Sequence, residues 1–283
     1  MASMPLGARA SAPQSERFEL GDVTVHAISD GHFDLPAGAF QNVGTQQLPE
    51  TVHIGATVWV ISTPTREILV DAGSGDFLKA RYPGTGQLAA RLAELGVDPK
   101  RITDVVITHM HADHIGGLLD GETKLFPSAE LHVSEVEWRY WMAEERPSQV
   151  PDALKGLAVL IQKIAGALPY EVALHSGVVD LGEGISMLPA PGHTPGHSAV
   201  QVASGAQQLL LLGDTLISGD LQFARPQVTY VLDGDPALAA KTRRDLFEMI
   251  ASDSIAFCAT HLNGLQKSTL EPMPEGFRRI DAV

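Results

Sequence analysis

The residues best suited to chemistry lie in one short stretch, THMHADHIGG, at positions 108–117. Its three histidines and one aspartate follow an apolar run typical of a buried strand; they are His109, His111, Asp113 and His114. Imidazole nitrogen and carboxylate oxygen are ligands of zinc and, with less preference, of iron, cobalt or manganese. The first two histidines are two positions apart and can face one point, whereas the other two side chains come on the next bend. We therefore predict a metal site here, with room for two ions.

Three further candidate ligands each lie just beyond a strand-like run later in the chain. His193 lies in PAPGHTPGHS after the run 185–188, Asp214 ends the apolar run of LLLLGD, and His261 follows the run 255–259. In α/β proteins a binding site forms beyond the carboxyl ends of the strands. The pattern therefore adds these three side chains to the candidate metal site.

Composition restricts the classes of partner. The 283 residues are ample for a hydrophobic core. Thirty-four acidic against twenty basic residues give a net charge of −14, which disfavours nucleic acid and leaves no polybasic membrane patch. The single cysteine, Cys258, permits no internal disulfide. Because no run approaches the roughly 18 apolar residues of a membrane span, and the opening lacks a signal-peptide core, we predict a cytoplasmic protein.

The length allows two average domains or one large layered α/β domain over 17–283. A flexible tail at 1–16, or an arm that crosses onto a partner subunit, is predicted to precede it. Strands are predicted at 18–20, 23–29, 54–62, 67–70, 102–107, 130–133, 178–181, 185–188, 198–202, 207–212 and 255–259. Helices are predicted at 85–95, which closes with Gly96, at 135–144 and 153–168, and from the Asp235 N-cap to about 250. The stretch 30–52 has many turn formers and is predicted to be a loop with Phe33, Leu35 and Phe40 exposed.

The seven candidate ligands form the pattern HxHxDH, His, Asp, His, which resembles that of the metallo-β-lactamase superfamily at every position over residues 18–265. Four segments resemble more closely the methyl parathion hydrolase group and its N-acyl homoserine lactonase relatives: SDGHFDLP, GHTPGHS, LLGDTLI, and QFARPQVTYVLDGDP running into KTRRDLFE. The resemblance implies a single-domain, four-layered αβ/βα sandwich and a homodimer.

The same resemblance implies a ligand set for two divalent metal ions, most simply zinc, with iron, cobalt or manganese as alternatives. His109, His111 and His193 would hold one ion, and Asp113, His114 and His261 the other. Asp214 would bridge them. Two such ions would share a water whose pKa falls toward about 7, giving hydroxide for attack on a carbonyl carbon or phosphorus centre.

Two further roles are predicted at the site. Asp113 is both a ligand and a candidate general acid, with a purely structural role as the alternative. Tyr230 is a candidate hydrogen-bond donor to the substrate. An apolar pocket is predicted from side chains that core packing would equally explain: Phe33, Leu35, Phe40, Leu221, Phe223 and Tyr230. Such a pocket favours a small neutral apolar ester or lactone, including N-acyl homoserine lactones.

Four alternatives come from the same motif. Two are hydrolases, one acting on an organophosphate triester and the other on a thioester as glyoxalase II does. Glyoxalase II appends a helical domain, whereas only about twenty residues follow His261 here. The third alternative, from another class, is a mononuclear iron sulfur dioxygenase, which shares HxHxDH but has no use for His114 and His261. The fourth is a scaffold that keeps its metals structurally. Asp214 argues against penicillin cleavage, and His111 argues against the diiron flavoprotein branch.

Several other residues have competing interpretations. Asp71 either hydrogen-bonds a ligand histidine or ends a strand, and His197 is assigned as a core or supporting histidine rather than an eighth ligand. Cys258 is predicted to be a buried core thiol. Packing roles are assigned to Trp138, Tyr140 and Trp141, and structural or exposed roles to His26, His32, His53, His132 and His175.

Overall fold

The computed structural model describes residues 13–45 and 47–282. Most of the predicted tail, residues 1–12, lies outside the described residues. The first strand begins at Ser15, so it includes the last two residues assigned to that tail.

Strands and helices follow each other in the order that the periodicity predicts, with some additions. In the described residues the strands are β1 (Ser15–Leu20), β2 (Val23–Pro36), β3 (Phe40–Gln41), β4 (Thr51–Ser62), β5 (Glu67–Val70), β6 (Ile102–Val106), β7 (Leu119–Asp120), β8 (Thr123–Lys124), β9 (Glu130–Ser134), β10 (Val172–His175), β11 (Val179–Gly182), β12 (Ile185–Pro189), β13 (Ser198–Ser204), β14 (Gln207–Leu211), β15 (Thr229–Tyr230), β16 (Ala256–Cys258), β17 (Ser268–Pro272) and β18 (Phe277–Asp281). The helices there are α1 (Leu88–Leu95), α2 (Ala112–Ile115), α3 (Glu135–Met142), α4 (Arg146–Gln149), α5 (Asp152–Gly166), α6 (Gly219–Gln222) and α7 (Pro236–Asp253). None of these helices is long and apolar enough to cross a bilayer.

Two seven-stranded sheets form the centre of the fold. One has the order β1-β2-β4-β5-β6-β9-β10, and the other has the order β11-β12-β13-β14-β16-β17-β18. Within the first, β5, β6, β9 and β10 run parallel, and in the second β14 and β16 do so. The two sheets with their helices confirm the predicted four-layered αβ/βα sandwich.

Side-chain alternation along the central strands explains the four layers. On β4, Trp59 and Ile61 pack into the cluster between the two sheets, while Val58 and Val60 pack on the opposite face with the helical residue Leu92. Strand β14 behaves in the same way: Leu209 and Leu211 lie between the sheets and Leu210 packs with Phe247 of α7. Strands that are apolar on both faces are typical of a sheet covered on both sides.

The helix ends follow the sequence signals. Gly96 ends α1 in the left-handed region with φ 69°, and its amide donates to carbonyls of the last turn. At α7 the Asp235 side chain accepts from the Leu238 amide at 3.0 Å, with Pro236 in the first helical position. Both predicted boundaries are confirmed.

The predicted loop at 30–52 is wrong at both ends, because residues 30–36 belong to β2 and residues 51–52 belong to β4. Strand β2 continues to Pro36 and pairs with β4 as far as Thr51, with a register shift around Gly31. Gly31 has φ 127°, and a Cβ there would lie 1.8 Å from the Gly84 carbonyl oxygen, so this glycine makes a bulge rather than a turn.

The side chains predicted to be exposed in that loop are buried. Phe33, Leu35 and Phe40 are 5%, 4% and 4% exposed, respectively. Phe33 and Leu35 alternate with His32 and Asp34 along HFDLP, which is the period-2 pattern of a half-buried strand. Strands β10, β17 and β18 were also not predicted, because their short stretches carry no strong alternation.

Candidate metal centre

The loop after β6 carries four of the seven candidate ligands. His109 and His111 lie between β6 and α2, and α2 carries Asp113 and His114. Gly117 lets this segment lie directly on the chain after β5, because a Cβ there would be 1.9 Å from the Ala72 carbonyl oxygen. The close packing fixes the loop against the sheet edge.

A first group of ligand atoms forms around His111. Its Nδ1 lies 3.0 Å from His109 Nε2 and 3.0 Å from His193 Nε2. Asp214 Oδ2 lies 3.3 Å from His193 Nε2 and 3.7 Å from His109 Nε2. All four side chains are buried, and their ligand atoms lie within 4.8 Å of one another.

A second group lies beside the first and consists of Asp113, His114 and His261. Asp113 Oδ2 is 3.7 Å from His114 Nε2 and 3.5 Å from His261 Nε2. Asp214 reaches this group as well, since its Oδ1 is 3.3 Å from His114 Nε2 and its Oδ2 is 3.1 Å from His261 Nε2. The structure therefore brings all seven candidates together, with Asp214 between the two groups.

The donor set fits two divalent cations. Zinc binds imidazole nitrogen at about 2.0–2.1 Å, so neighbouring ligand atoms in a tetrahedral site lie roughly 3.3 Å apart, close to the separations above. His114 Nε2 and Asp214 Oδ1 are buried and face each other, yet neither has a hydrogen-bond partner among the described residues. A cation between them would satisfy both atoms, which are otherwise costly to bury.

Electrostatics differ between the two groups. Burial and then the neighbouring histidines lower the pKa of His109 and His111 well below the usual histidine value, so both rings are neutral. Burial also opposes charge on His114, but Asp214, Asp71 and Asp113 raise its pKa well above the usual value. Burial opposes charge on His261 too, but Asp214 raises its pKa above the usual value. Cation binding at the second group is therefore expected to release protons.

Two buried carboxylates orient candidate ligands by contacting the Nδ1 atoms of their rings. Asp71 Oδ2 lies 2.8 Å from His114 Nδ1, so the predicted hydrogen bond between Asp71 and a ligand histidine is present. The same carboxylate accepts from the amide and hydroxyl of Thr108. Asp233 Oδ1 lies 2.9 Å from His193 Nδ1. Carboxylates in this position fix the tautomer and orientation of a ligating imidazole.

Asp71→Asn is expected to weaken metal binding by roughly 10- to 100-fold, because the His114 ring loses its anionic partner. Competition with a chelator measures the affinity. Asp104→Asn is the matched control, since Asp104 makes an equivalent pair with His132 at 3.0 Å away from the two groups. Equal affinity in the Asp71 variant and the wild type would contradict an orienting role.

Sequence reasoning missed two supporting acids, Asp233 and Glu137. Glu137, on α3, is completely buried and accepts hydrogen bonds from the Met110 amide at 2.9 Å, the Gly196 amide at 3.0 Å and Trp141 Nε1 at 2.7 Å. It thus connects the loop of His109 and His111 with the loop of His193. The available signals were weak: Asp233 lies three residues after Tyr230, and Glu137 is one of two acids in EVEW.

Three other interpreted residues, His197, Cys258 and Trp141, lie where a supporting or packing role places them. His197 is not an eighth candidate ligand: its Nε2 accepts from the Asp214 amide at 3.0 Å and its Nδ1 faces the Ala190 carbonyl. Burial, then nearby His193, lowers its pKa to about 3, so it is neutral. Cys258 is a buried core thiol. Trp141 packs in the outer core, with its ring 5.6 Å from that of His111.

Two of the predicted pocket side chains, Tyr230 and Phe33, lie beside the groups. The Tyr230 ring stacks on that of His193, with centroids 6.4 Å apart, and Phe33 lies edge-on to His261 at 5.8 Å. An apolar cluster, hereafter the cleft cluster, contains Phe33, Leu35, Phe40, Ile54, Ile217, Leu221 and Val228, with Tyr230 packed against it. Phe223 instead packs with Phe247 and Phe257 under α7, which is the core-packing alternative.

The fold, the seven clustered side chains and the sequence profile agree on a family. Residues 53–261 match the metallo-β-lactamase superfamily, to which the chain therefore belongs.

Individual relatives are distant. A probable metallo-hydrolase of Mycobacterium tuberculosis is 26% identical over 208 residues, which cover 67% of this chain and 66% of that protein. The chain thus spans just under two thirds of the length of that relative. Two solved structures share the fold with a TM-score of 0.87 each. The hydrolase AbOPH is 20% identical, over 97% of this chain and 99% of its own. The dizinc quorum-quenching lactonase AidC is 23% identical, over 95% and 97%.

Proposed function

We propose that this protein is a dinuclear metal-dependent hydrolase that opens lactones or cleaves esters. The observation that carries the proposal is the position of Asp214, whose two carboxylate oxygens face ligand nitrogens of both groups within 3.3 Å. A carboxylate placed between two histidine groups suits a pair of cations. The dizinc lactonase AidC, which has the same fold, supports this assignment.

When bound, two divalent cations polarise the scissile carbonyl and make a nucleophile available at neutral pH. The chain's own residues supply orientation and proton transfer. His193 is held by Asp233, His114 by Asp71 and His261 by the Gly55 carbonyl oxygen at 2.8 Å. These contacts fix each ring before substrate arrives.

Asp113 is the proposed general acid for the leaving alkoxide. Its side chain is 18% exposed, whereas that of Asp214 is 4% exposed, so Asp113 faces the open side of the two groups. A carboxylate there can take a proton from the nucleophile and deliver it to the departing oxygen.

Substrate class follows from the cleft cluster. Phe33 of this cluster lies beside His261, and Tyr230, packed against the cluster, lies beside His193. Aromatic and aliphatic side chains of this kind suit acyl or aryl groups rather than charged ones. The net charge of −14 further disfavours polyanionic substrates. We propose small neutral lactones of the N-acyl homoserine type and aryl esters as substrates.

Tyr230 is proposed to donate a hydrogen bond to the oxygen that gains charge during the reaction. Burial, and then the charge of Asp113, raise the pKa of its phenol, so the proton stays on the oxygen at neutral pH. Its ring is held by His193 and by Phe40, 5.5 Å away. A neutral phenol in this position stabilises an oxyanion as other donors do.

Tyr230→Phe is expected to lower kcat roughly 10²-fold with little change in KM, because a donor used mainly in the transition state is lost. Steady-state kinetics with a homoserine lactone measure both constants. Tyr140→Phe is the control, since the Tyr140 ring packs against Arg146 and Trp141 and not on His193. If Tyr230→Phe kept the wild-type kcat, the donor role would be excluded.

Turnover of three substrates tests the substrate assignment: a homoserine lactone, an aryl acetate and an aryl phosphotriester. Lactone or ester turnover supports the proposal, and turnover of the phosphotriester alone assigns the protein to the organophosphate hydrolase alternative. Oxidation of a persulfide by protein holding one iron would assign it to the sulfur dioxygenase class. The convergence of Asp113, His114 and His261 on a second group is the observation that disfavours that class.

A homodimer is also proposed, on the basis of the family resemblance. Light scattering on the purified chain gives its mass directly. A value near twice 30.2 kDa is expected.

A further inference from the structure

A second set of side chains that could hold a metal ion lies outside the two groups of the candidate metal centre, on the exposed face of β2 and β4. His32, Asp34 and His53 each offer one ligand atom, and the three atoms lie within 4.8 Å of one another. His53 Nδ1 is 2.8 Å from Asp34 Oδ1, and the ring centroids of His32 and His53 are 4.7 Å apart. We propose that these residues form an accessory site for a divalent cation, separate from the pair of cations in the cleft.

Strand register is what places the three side chains together. Asp34 pairs directly with His53, and His32 pairs with Gly55, so the two histidines are diagonal neighbours. Residues two apart on a strand share a face, and directly opposed residues of antiparallel strands do so as well. The intervening Phe33 points to the other face, into the cleft cluster. The shared face is thus fixed by the backbone rather than by flexible loops.

The environment leaves room for an ion and holds the ligands near it. The side chains of His53 and Asp34 are 56% and 58% exposed, so an ion can reach them from solvent. The His32 ring lies over Gly84, where a Cβ would come within 2.6 Å of the imidazole. Two imidazoles and one carboxylate suit zinc, nickel or copper(II) better than magnesium or calcium, and water would complete the coordination.

This site shares its strands with the cleft. Gly55, opposite His32, accepts the hydrogen bond from His261 Nδ1, and Phe33, between His32 and Asp34, contacts the His261 ring. A cation held by His32 and His53 would therefore link β2 to β4 at the segment that supports His261.

The test is the uptake of further metal by protein whose two groups of candidate ligands already hold metal. Equilibrium dialysis of wild type and of the double variant His32→Ala, His53→Ala against Zn²⁺ is expected to show one ion fewer per chain in the variant. The matched control His175→Ala, a partly exposed histidine on β10, is expected to keep the wild-type number. Equal uptake by wild type and the double variant would overturn the proposal.

Electron paramagnetic resonance of bound copper identifies the ligands. Cu²⁺ added to the zinc-loaded wild type is expected to give an electron paramagnetic resonance spectrum with nitrogen hyperfine splitting, which the double variant lacks. Asp34→Asn, which retains both imidazoles, is expected to keep the splitting but bind more weakly. Thermal unfolding in chelator checks that each variant is folded. Unchanged splitting in a folded double variant would place the copper elsewhere and refute the site.

Discussion

Asp214→Ala is expected to abolish hydrolysis and to lower the metal content of the protein toward one ion per chain. Its carboxylate is the one group of the seven that faces both ligand groups, with contacts of 3.1–3.7 Å to four histidines. Removing it leaves His114 and His261 without their central anion. Stabilisation of developing charge by cations contributes several kcal/mol, so a loss of at least roughly a thousandfold in kcat/KM is expected.

Elemental analysis and lactone turnover on the same preparation measure the two effects together. Asp220→Ala is the matched control, because Asp220 is an exposed aspartate on α6 close in sequence. It is expected to behave as wild type. An Asp214→Ala protein that kept two ions and full activity would refute the bridging role.

Glu137→Ala is expected to destabilise the protein by about 3 kcal/mol and to reduce activity, although Glu137 is not a candidate ligand. Three buried donors, the amides of Met110 and Gly196 and the Trp141 indole, lose their acceptor. Each unsatisfied buried donor costs about 1–3 kcal/mol, partly relieved by water entry or relaxation. The two metal loops would then move independently of α3.

Thermal unfolding of chelator-treated and of metal-loaded protein measures this loss of stability. For a chain of this size, Tm is expected to decrease by roughly 6–12 °C. Glu135→Ala on the same helix is the control. It removes a surface ion pair with Arg139, which is worth less than about 1 kcal/mol. Equal losses of stability in the two variants would show that the buried hydrogen bonds of Glu137 stabilise the protein no more than the surface ion pair does.

The seven clustered residues were predictable because each carries a local signal. HxHxDH is contiguous, and His193, Asp214 and His261 each follow an apolar run, so their positions at strand ends could be read from the chain. The pairing of Asp71 with a ligand histidine was one of two open interpretations, and the structure selects it. The register of the sheets then supplies the convergence that a linear pattern leaves open.

Asp233 and Glu137 show where this reasoning fails. Asp233 pairs with a histidine 40 residues away. Glu137 accepts hydrogen bonds from backbone amides 27 and 59 residues away. Such contacts depend on how loops from separate strands meet. A single buried acid gives no periodic signal, so it is indistinguishable in sequence from a solvated one.

The extent of β2 failed for a different reason. Gly31 suggests a turn, but the tertiary fold uses it as a bulge at which the strand approaches the Gly84 carbonyl. The alternation of His32, Phe33 and Asp34 was therefore assigned to a loop. The same error hid both the burial of the cleft cluster and the shared face of the accessory metal site.

Metal content per chain tests the central claim most directly, measured on protein purified without added metal and assayed at once on a homoserine lactone. The two groups joined by Asp214 predict two ions per chain with lactone turnover. Any ion at the accessory site is distinguished by repeating the count with the double variant His32→Ala, His53→Ala. One ion per chain, identified as iron, with no lactone turnover would contradict the dinuclear hydrolase.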